Sequence, residues 1–246
     1  MDGAIPVDTP LGSDVLRSDA LASAALILAR RFAAGSTMWC LAPGAPEHAR
    51  HLAVEFVHPV IVGKRALPAV SIVGPDPVAA LRAVVRPGDI LLSVGAGDDS
   101  VTLDALRRSP AWGLTTVWVG WGDDEPAAAT VAADARLWTT DQDGSARFDG
   151  RLVLTYHLPW ELTHVCFEHP GLLKDPEQAG AGDVCITCSD EGRLAEVIQV
   201  DEGPDAVVRT ARGIEHVDVS LVGELRRDDL VLVHAGTALS VVGATG

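Results

Sequence analysis

Helix-like and strand-like segments alternate along residues 16–172. The first is an Ala- and Leu-rich stretch that begins at Ser18 and Asp19 and ends near Gly35. Apolar runs typical of buried strands follow at residues 37–41, 69–73, 90–94 and 115–121, with an edge strand at 135–139. Helices are predicted over about 47–56, from 76 onward, over 100–108 and over 159–167. This alternation predicts a three-layer α/β domain with a mostly parallel sheet.

A second domain is predicted after a polar, glycine-rich stretch at residues 173–183 that lacks periodicity. Beyond it, short Val- and Ile-rich runs occur at 195–200, 206–209, 217–221, 230–234 and 238–242, separated by turns. Closely spaced short strands of this kind are typical of a small all-β barrel of the OB type. The predicted boundaries are therefore 15–172 for the α/β domain, 173–183 for the linker and 184–246 for the barrel.

Composition narrows the classes of function. The chain has 246 residues, long enough for two modest domains, and carries a formal net charge of −15. That charge repels phosphate backbones and anionic lipid, so we expect neither nucleic acid nor a membrane as a main partner. The start of the chain lacks a basic signal-peptide region and its apolar stretch at 20–29 is too short to span a bilayer, which favours a cytoplasmic protein with reduced cysteines.

Two motifs mark the ends of the predicted barrel. Cys185-Ile186 stands at its start, and the run Asp229-Leu230-Val231-Leu232-Val233-His234-Ala235-Gly236-Thr237-Ala238 closes it. Together they resemble the HypC/HupF family of small chaperones that assemble the metal centre of nickel-iron hydrogenases. Members of that family carry the cysteine next to the initiator methionine, whereas here it follows a whole domain, and Ser189-Asp190 replaces the usual Pro-Gly.

The resemblance implies that Cys185 carries an iron with cyanide and carbonyl ligands, with His234 as its supporting polar residue and Cys188 as a nearby second thiol. Thiolate is a soft donor that suits such an iron. The implied partners are a hydrogenase large subunit and other maturation proteins. Two alternatives remain for the Cys185/Cys188 pair: buried small side chains, or a lone thiol–disulfide motif.

The N-terminal domain resembles the sugar isomerase (SIS) fold, and within it the phosphoheptose isomerases, over about 150 residues. The matching stretches are residues 40–56, residues 86–92 and the late helix that contains His164. The resemblance implies a sugar-phosphate site in the loops at 43–48 and 94–100, with Gly95, Gly97 and Ser100 as ligand-binding residues. Most of the serines expected there are absent, and the carboxylates of Asp98 and Asp99 would repel a phosphate.

A metal site is also predicted. His51 and Glu55 are four residues apart, which places them on one face of a helix, and the resemblance adds His164 as a third ligand for zinc. His157, His169 or water would complete the set, and Tyr156 stands where the isomerases have a glutamine. In an isomerase, Glu55 would be the base and His164 the acid. The alternative is that these are solvated or interface side chains.

Three hypotheses follow. The favoured one is a hydrogenase maturation factor whose degenerate SIS-like domain serves for oligomerisation, as a dimer or tetramer by analogy, or for binding a small ligand. The second is a sugar-phosphate isomerase with a fused barrel. The third is a non-catalytic sensor that binds a sugar derivative.

Overall fold

A parallel sheet organises the N-terminal domain. The computed structural model describes residues 18–126, 133–141, 150–173, 192–201 and 203–242. The five strands are β1 (Met38–Leu41), β2 (Ala69–Ile72), β3 (Ile90–Ala96), β4 (Thr115–Gly122) and β5 (Ala135–Thr140). Their order is β2-β1-β3-β4-β5 and every neighbouring pair is parallel, which confirms the predicted fold class. In this order the chain reverses direction across the sheet between β1 and β3, where open α/β sheets bind their ligands.

Helices cover both faces of the sheet. They are α1 (Ser18–Ala33), α2 (Pro46–Val57), α3 (Pro77–Val84), α4 (Ser100–Arg108) and α5 (Gly150–Glu168), followed by a 3-10 turn at Pro170–Leu173. Buried side chains of α1, α2 and α5 form one core with the sheet, and those of α3 and α4 form a second core on its other face. None of the described helices combines the length and apolarity needed to cross a bilayer.

Helix α5 corrects the sequence analysis. The predicted helix began at Pro159, but the observed helix begins at residue 150 and Pro159 lies inside it. Proline removes one backbone donor from a helix, and the helix continues here because Leu152, Tyr156 and Trp160 all anchor it in the core. The nine additional residues bring Tyr156 and His157 onto a regular helix.

The C-terminal strands close into a barrel with a core of its own. They are β6 (Arg193–Val200), β7 (Asp205–Thr210), β8 (Gly213–Asp218), β9 (Leu230–His234) and β10 (Thr237–Val242), in the closed order β10-β8-β7-β6-β9. Strand β8 begins four residues before the predicted strand at 217–221, because the chain turns at once after Thr210 through Gly213, whose φ is +125°. The predicted linker falls almost entirely outside the described residues.

The barrel packs against the face of the first domain that carries α3 and α4. Leu230 belongs to the same apolar core as Leu106 and Trp112, and Leu194 and Val242 pack against it. At the centre of this contact lies an ionic group that we call the interface cluster, which consists of Arg82, Arg108, Trp112, Glu196 and Asp228. The two domains therefore share both apolar and charged contacts.

The Glu196 carboxylate is the hub of the interface cluster and is only 2% exposed. It accepts hydrogen bonds from Arg108 Nη1 at 2.8 Å and from Trp112 Nε1 at 2.9 Å. Arg82 Nε lies 3.3 Å from the same carboxylate. A charge this deeply buried is stable only because each oxygen has a donor.

Candidate metal centre

Three potential metal ligands meet between α2 and α5. His51 and Glu55 project from one face of α2, as their spacing predicts, and His157 faces them from α5. One ligand atom from each of the three can be chosen so that all lie within 4.8 Å of one another. Among the described residues this is the group of His, Cys, Asp and Glu side chains that could hold a metal ion.

Two of the three ligand–ligand distances in this cluster match those of a tetrahedral ion, and the third is within 4.8 Å. His51 Nε2 lies 3.3 Å from Glu55 Oε1 and 3.2 Å from His157 Nε2. Zinc binds imidazole nitrogen and carboxylate oxygen at about 2.0–2.1 Å, so neighbouring ligands of a tetrahedron are about 3.3 Å apart. Two imidazoles and a carboxylate are also a donor set that zinc uses in catalytic sites, with the fourth position open. The residues present therefore fit a zinc-class ion.

Electrostatics and exposure support this interpretation. Burial lowers the pKa of His157, and His51 adds to that effect while Glu55 opposes it. A lowered pKa favours the neutral ring, which is the form that binds a metal. The side chains of His51 and Glu55 are 39% and 20% exposed, so solvent or a small ligand can reach the cluster.

A buried tyrosine lies next to the metal-ligand cluster, within hydrogen-bond distance of His51. Tyr156 Oη lies 3.3 Å from His51 Nδ1 and 3.1 Å from Nδ1 of the buried His48. Burial, with the Glu55 and Glu47 carboxylates, raises the pKa of Tyr156 to about 12, so its hydroxyl keeps its proton. A hydrogen bond to the ring nitrogen that faces away from the metal is the usual way in which a ligand histidine is oriented.

A further hydrogen bond joins the two helices at this site. Trp160 Nε1 of α5 donates to the Glu55 carbonyl oxygen at 2.9 Å. That carbonyl belongs to the last turn of α2, where no backbone N–H is available to it. The bond thus fixes the helix that carries two of the three ligands against the helix that carries the third.

The other predicted ligands lie elsewhere. His164 is buried, and its Nδ1 and Nε2 face the carbonyl oxygens of Trp160 at 2.9 Å and Arg65 at 3.1 Å. His169 is exposed just beyond α5. The structure therefore places His157, rather than His164, beside His51 and Glu55.

The predicted ligand loops meet at the point where the sheet reverses direction, and a carboxylate of one loop lies against the backbone of the other. A Cβ atom at Gly44 would lie 3.5 Å from Asp99 Oδ2, so the loops after β1 and β3 are in contact. Asp99 caps α4 by accepting from Thr102 N at 2.7 Å, and Ser100 is the exposed first residue of that helix. The helix N-terminus that would attract a phosphate is thus occupied by a carboxylate.

The glycines of these loops serve packing. A Cβ atom at Gly95 would lie 2.5 Å from Thr102 Oγ1, and one at Gly97 would lie 2.8 Å from the Trp138 ring. The same indole approaches Gly120 and Gly122, so it packs against the backbone of three glycines. We interpret Gly95 and Gly97 as residues that admit neighbouring side chains, which is a sufficient reason for glycine there.

The thiols divide into two groups. Cys185 and Cys188, with the start of the predicted iron site, lie outside the described residues. Cys40 and Cys166 are buried, and burial raises the pKa of both thiols. These two behave as small core side chains.

His234 ends β9 at the last hairpin of the barrel. Ala235 and Gly236 form the two-residue turn, with φ of +47° and +81°, and His234 pairs with Thr237 across it. Two positive φ angles are what a tight hairpin requires. The segment that resembles HypC/HupF therefore folds as a complete hairpin with a half-buried histidine at its tip.

Solved structures share the fold of the N-terminal domain. A phosphoheptose isomerase from Francisella tularensis has a TM-score of 0.51 at 15% identity, over 59% of this chain and 85% of that one. A phosphoheptose isomerase from Neisseria gonorrhoeae gives 0.49 at 14% identity, over 58% and 85%. The Vibrio vulnificus NanR protein complexed with ManNAc-6P gives 0.47 at 16% identity, over 68% and 62%. No protein-family model and no curated protein matches the chain.

The observed topology and the likeness to the Francisella tularensis structure establish the architecture. The N-terminal part of the chain is an SIS-like α/β domain, and a closed five-stranded barrel follows it. At this level of identity the likeness concerns the fold alone. The closed barrel is consistent with the HypC/HupF prediction, but no comparison supports that family.

Proposed function

We propose that the SIS-like domain binds one zinc-class divalent ion through His51, Glu55 and His157 and presents the ion to a small sugar derivative. The observation that carries the proposal is the position of His51 Nε2, 3.2 Å from His157 Nε2 and 3.3 Å from Glu55 Oε1, in a group whose ligand atoms all lie within 4.8 Å of one another. The open fourth position is available to a hydroxyl or carbonyl oxygen of the ligand, as in other three-ligand zinc sites.

Binding is favoured over isomerisation. If Glu55 holds the ion, it is not available as the base. His164 is not available as the acid either, since both of its ring nitrogens face backbone carbonyl oxygens. An acid–base isomerisation needs both groups at the substrate. The protein therefore acts as a sensor or carrier of a sugar derivative.

The geometry also favours an uncharged ligand. The N-terminus of α4 already donates a hydrogen bond to the Asp99 carboxylate, and Asp98 lies next to it on the surface. A phosphate in the same place would meet two like charges. We therefore expect free sugars or their neutral derivatives to bind better than phosphate esters.

Zinc binding tests the site directly. The affinity of the wild-type chain would be measured by competition with a chromophoric chelator, against His51→Ala and His157→Ala. Each variant should lose most of the affinity, because two remaining ligands bind zinc far more weakly than three. His216→Ala removes an exposed barrel histidine and is the matched control, which should bind as the wild type does. Equal affinity of all four proteins would refute the site.

Ligand binding is tested by calorimetry with and without zinc, with free sugars and their phosphate esters as matched pairs, beginning with ManNAc and ManNAc-6P. We expect heat of binding that requires zinc and is not increased by the phosphate. Binding that is independent of zinc, or tenfold tighter for the phosphate esters, would contradict the proposal.

We propose a second candidate function for the barrel from its sequence resemblance, as a carrier in hydrogenase maturation. What favours it is the hairpin of β9 and β10, in which the run from Asp229 to Ala238 closes the barrel and holds His234 at its tip. On this hypothesis Cys185 holds an iron with cyanide and carbonyl ligands as cargo, and the partner is a hydrogenase large subunit or another maturation protein.

Infrared spectroscopy tests this second function. Protein purified anaerobically from a host with an active hydrogenase operon should show cyanide and carbonyl stretches that disappear in Cys185→Ala. Cys188→Ala is the comparison that separates the two thiols. Full hydrogenase maturation by a folded Cys185→Ala protein would remove this candidate.

A further inference from the structure

We propose that Tyr156 is a positioning residue that links the metal ligand His51 to the buried His48 through its hydroxyl. When zinc binds to His51, the hydrogen bonds from His51 to Tyr156 and from Tyr156 to His48 reverse their direction. This inference rests on the proposed metal centre. It goes beyond it because His48 is not a ligand and belongs to the first turns of α2, beside the loop after β1.

The geometry places one hydroxyl between two rings. Tyr156 Oη is within hydrogen-bond distance of Nδ1 of both His48 and His51, at 3.1 and 3.3 Å. Both imidazoles meet the tyrosine ring edge to face, with centroids 5.7 Å apart in each pair. Tyr156 and His48 are buried, so the hydroxyl cannot exchange these partners for solvent without loss.

The hydroxyl carries one proton, so it donates to one histidine and accepts from the other. When His51 Nε2 binds an ion, its lone pair is used there and the ring proton is on Nδ1. His51 then donates to Tyr156, and Tyr156 donates to His48 Nδ1. His48 must in that state carry its proton on Nε2.

Without the ion the opposite direction is available. His51 Nε2 can carry the proton and donate a hydrogen bond to Glu55 Oε1 at 3.3 Å or to His157 Nε2 at 3.2 Å. His51 Nδ1 is then an acceptor for the tyrosine, and His48 Nδ1 donates to the tyrosine instead. Zinc thus selects one of two orientations of the same chain of hydrogen bonds, and the selection reaches His48.

The consequence is local to the ligand loop. His48 N donates to the Ala45 carbonyl oxygen at 2.9 Å, in the segment that joins β1 to α2. This segment borders the place where the sheet reverses direction and where the loop after β3 contacts it at Gly44. The chain of hydrogen bonds therefore ends at a residue that lies beside the loops after β1 and β3.

The chain offers a simple probe, because Tyr156 is its one tyrosine. Protein made with 3-fluorotyrosine should give a single fluorine NMR signal, and we expect zinc chloride to shift it. With nitrogen-15-labelled histidine, zinc should move the His48 signals from the Nδ1–H to the Nε2–H tautomer. These two measurements need no substitution and so do not depend on the folding of a variant.

Tyr156→Phe removes the hydroxyl alone. Zinc affinity should fall about 10- to 100-fold, as is typical when the partner of a ligand histidine is lost. The His48 signals should no longer respond to zinc. Thr163→Val is the matched control, since it removes another buried hydroxyl from α5 that bonds only backbone carbonyls, and it should bind zinc as the wild type does.

The outcomes separate the two proposals. Failure of the wild-type chain to bind zinc would refute the metal centre itself. Zinc binding by the wild type with unchanged His48 signals, or equal zinc affinity of Tyr156→Phe and the wild type, would overturn the role of Tyr156 and leave the metal centre standing.

Discussion

Truncation of Glu196 should loosen the barrel from the SIS-like domain. Removing one partner of a buried ion pair costs about 3–5 kcal/mol, because the remaining charge stays buried. In Glu196→Ala, the Trp112 N–H also loses its acceptor. Arg82 and Arg108 keep other carboxylates, Asp228 at 2.7 Å and Asp104 at 2.9 Å. We therefore expect a loss near the lower end of that range, about 3 kcal/mol.

Glu196→Gln separates shape from charge. The amide oxygen can still accept from Arg108, but its NH₂ group then faces the Trp112 N–H, and two donors are opposed. One unsatisfied buried donor costs about 1–3 kcal/mol. The order of stability should thus be wild type, then Glu196→Gln, then Glu196→Ala.

Urea unfolding followed by tryptophan fluorescence and by circular dichroism is the assay. With a slope near 3 kcal/mol per M, a loss of about 3 kcal/mol lowers the midpoint by about 1 M. We also expect the barrel and the SIS-like domain to unfold in separate transitions in Glu196→Ala. Glu224→Gln removes a charge from an exposed glutamate of the barrel and should stay within about 0.5 kcal/mol of the wild type. If Glu196→Ala unfolds as this control does, the reasoning about the interface cluster is refuted.

Three further changes test separate features. Gly120→Ala places a Cβ atom 2.5 Å from the Trp138 ring and should lower the free energy of unfolding in urea by about 1–3 kcal/mol. A second substitution that replaces Trp138 by a smaller residue should relieve this loss. Asp99→Ala removes the cap of α4 and should cost about 1 kcal/mol by the same assay, with no change in zinc affinity. The hydrogen bond from Thr210 lowers the pKa of Glu215 below its ordinary 4.5, and Arg193 lowers it further, while partial desolvation opposes both effects. Its stabilising effect is therefore complete above that value and lost as pH falls through the folded-state pKa, so Glu215→Gln should flatten the pH dependence of the urea midpoint below pH 4.5.

Elements with strong local signals were predictable. Helix α4 has the predicted limits, 100–108, because Asp99 is a good N-cap and the apolar positions have a clear helical period. Strands β3 and β4 extend only one or two residues beyond their apolar runs. The start of α5 was missed because proline at a first helical position and proline inside a helix give the same local pattern.

The metal centre was predictable only in its local half. His51 and Glu55 are related by helical spacing, which the sequence displays. His157 and His164 are seven residues apart, nearly two whole turns, and so lie on the same face of α5. They differ by about 10 Å along the helix axis, and only the packing of α5 against α2 decides which one reaches Glu55.

The interface cluster had no signal in the sequence. Arg108 and Glu196 are 88 positions apart, and each belongs to an element whose pattern is complete without the other. A glutamate in a strand of alternating pattern predicts a solvated face. Here the SIS-like domain covers that face, and a contact between two domains leaves no trace in the local sequence pattern.

The contact between the barrel and the SIS-like domain also limits which substitutions the two domains can accept during evolution. Their common surface has the composition of an obligate complex, with an apolar core and a buried charge that is matched from the other side. A substitution on one half would then need a compensating substitution on the other, as between the subunits of a permanent heterodimer. Two separately produced fragments, divided within residues 174–191, should for the same reason find each other in solution and co-purify.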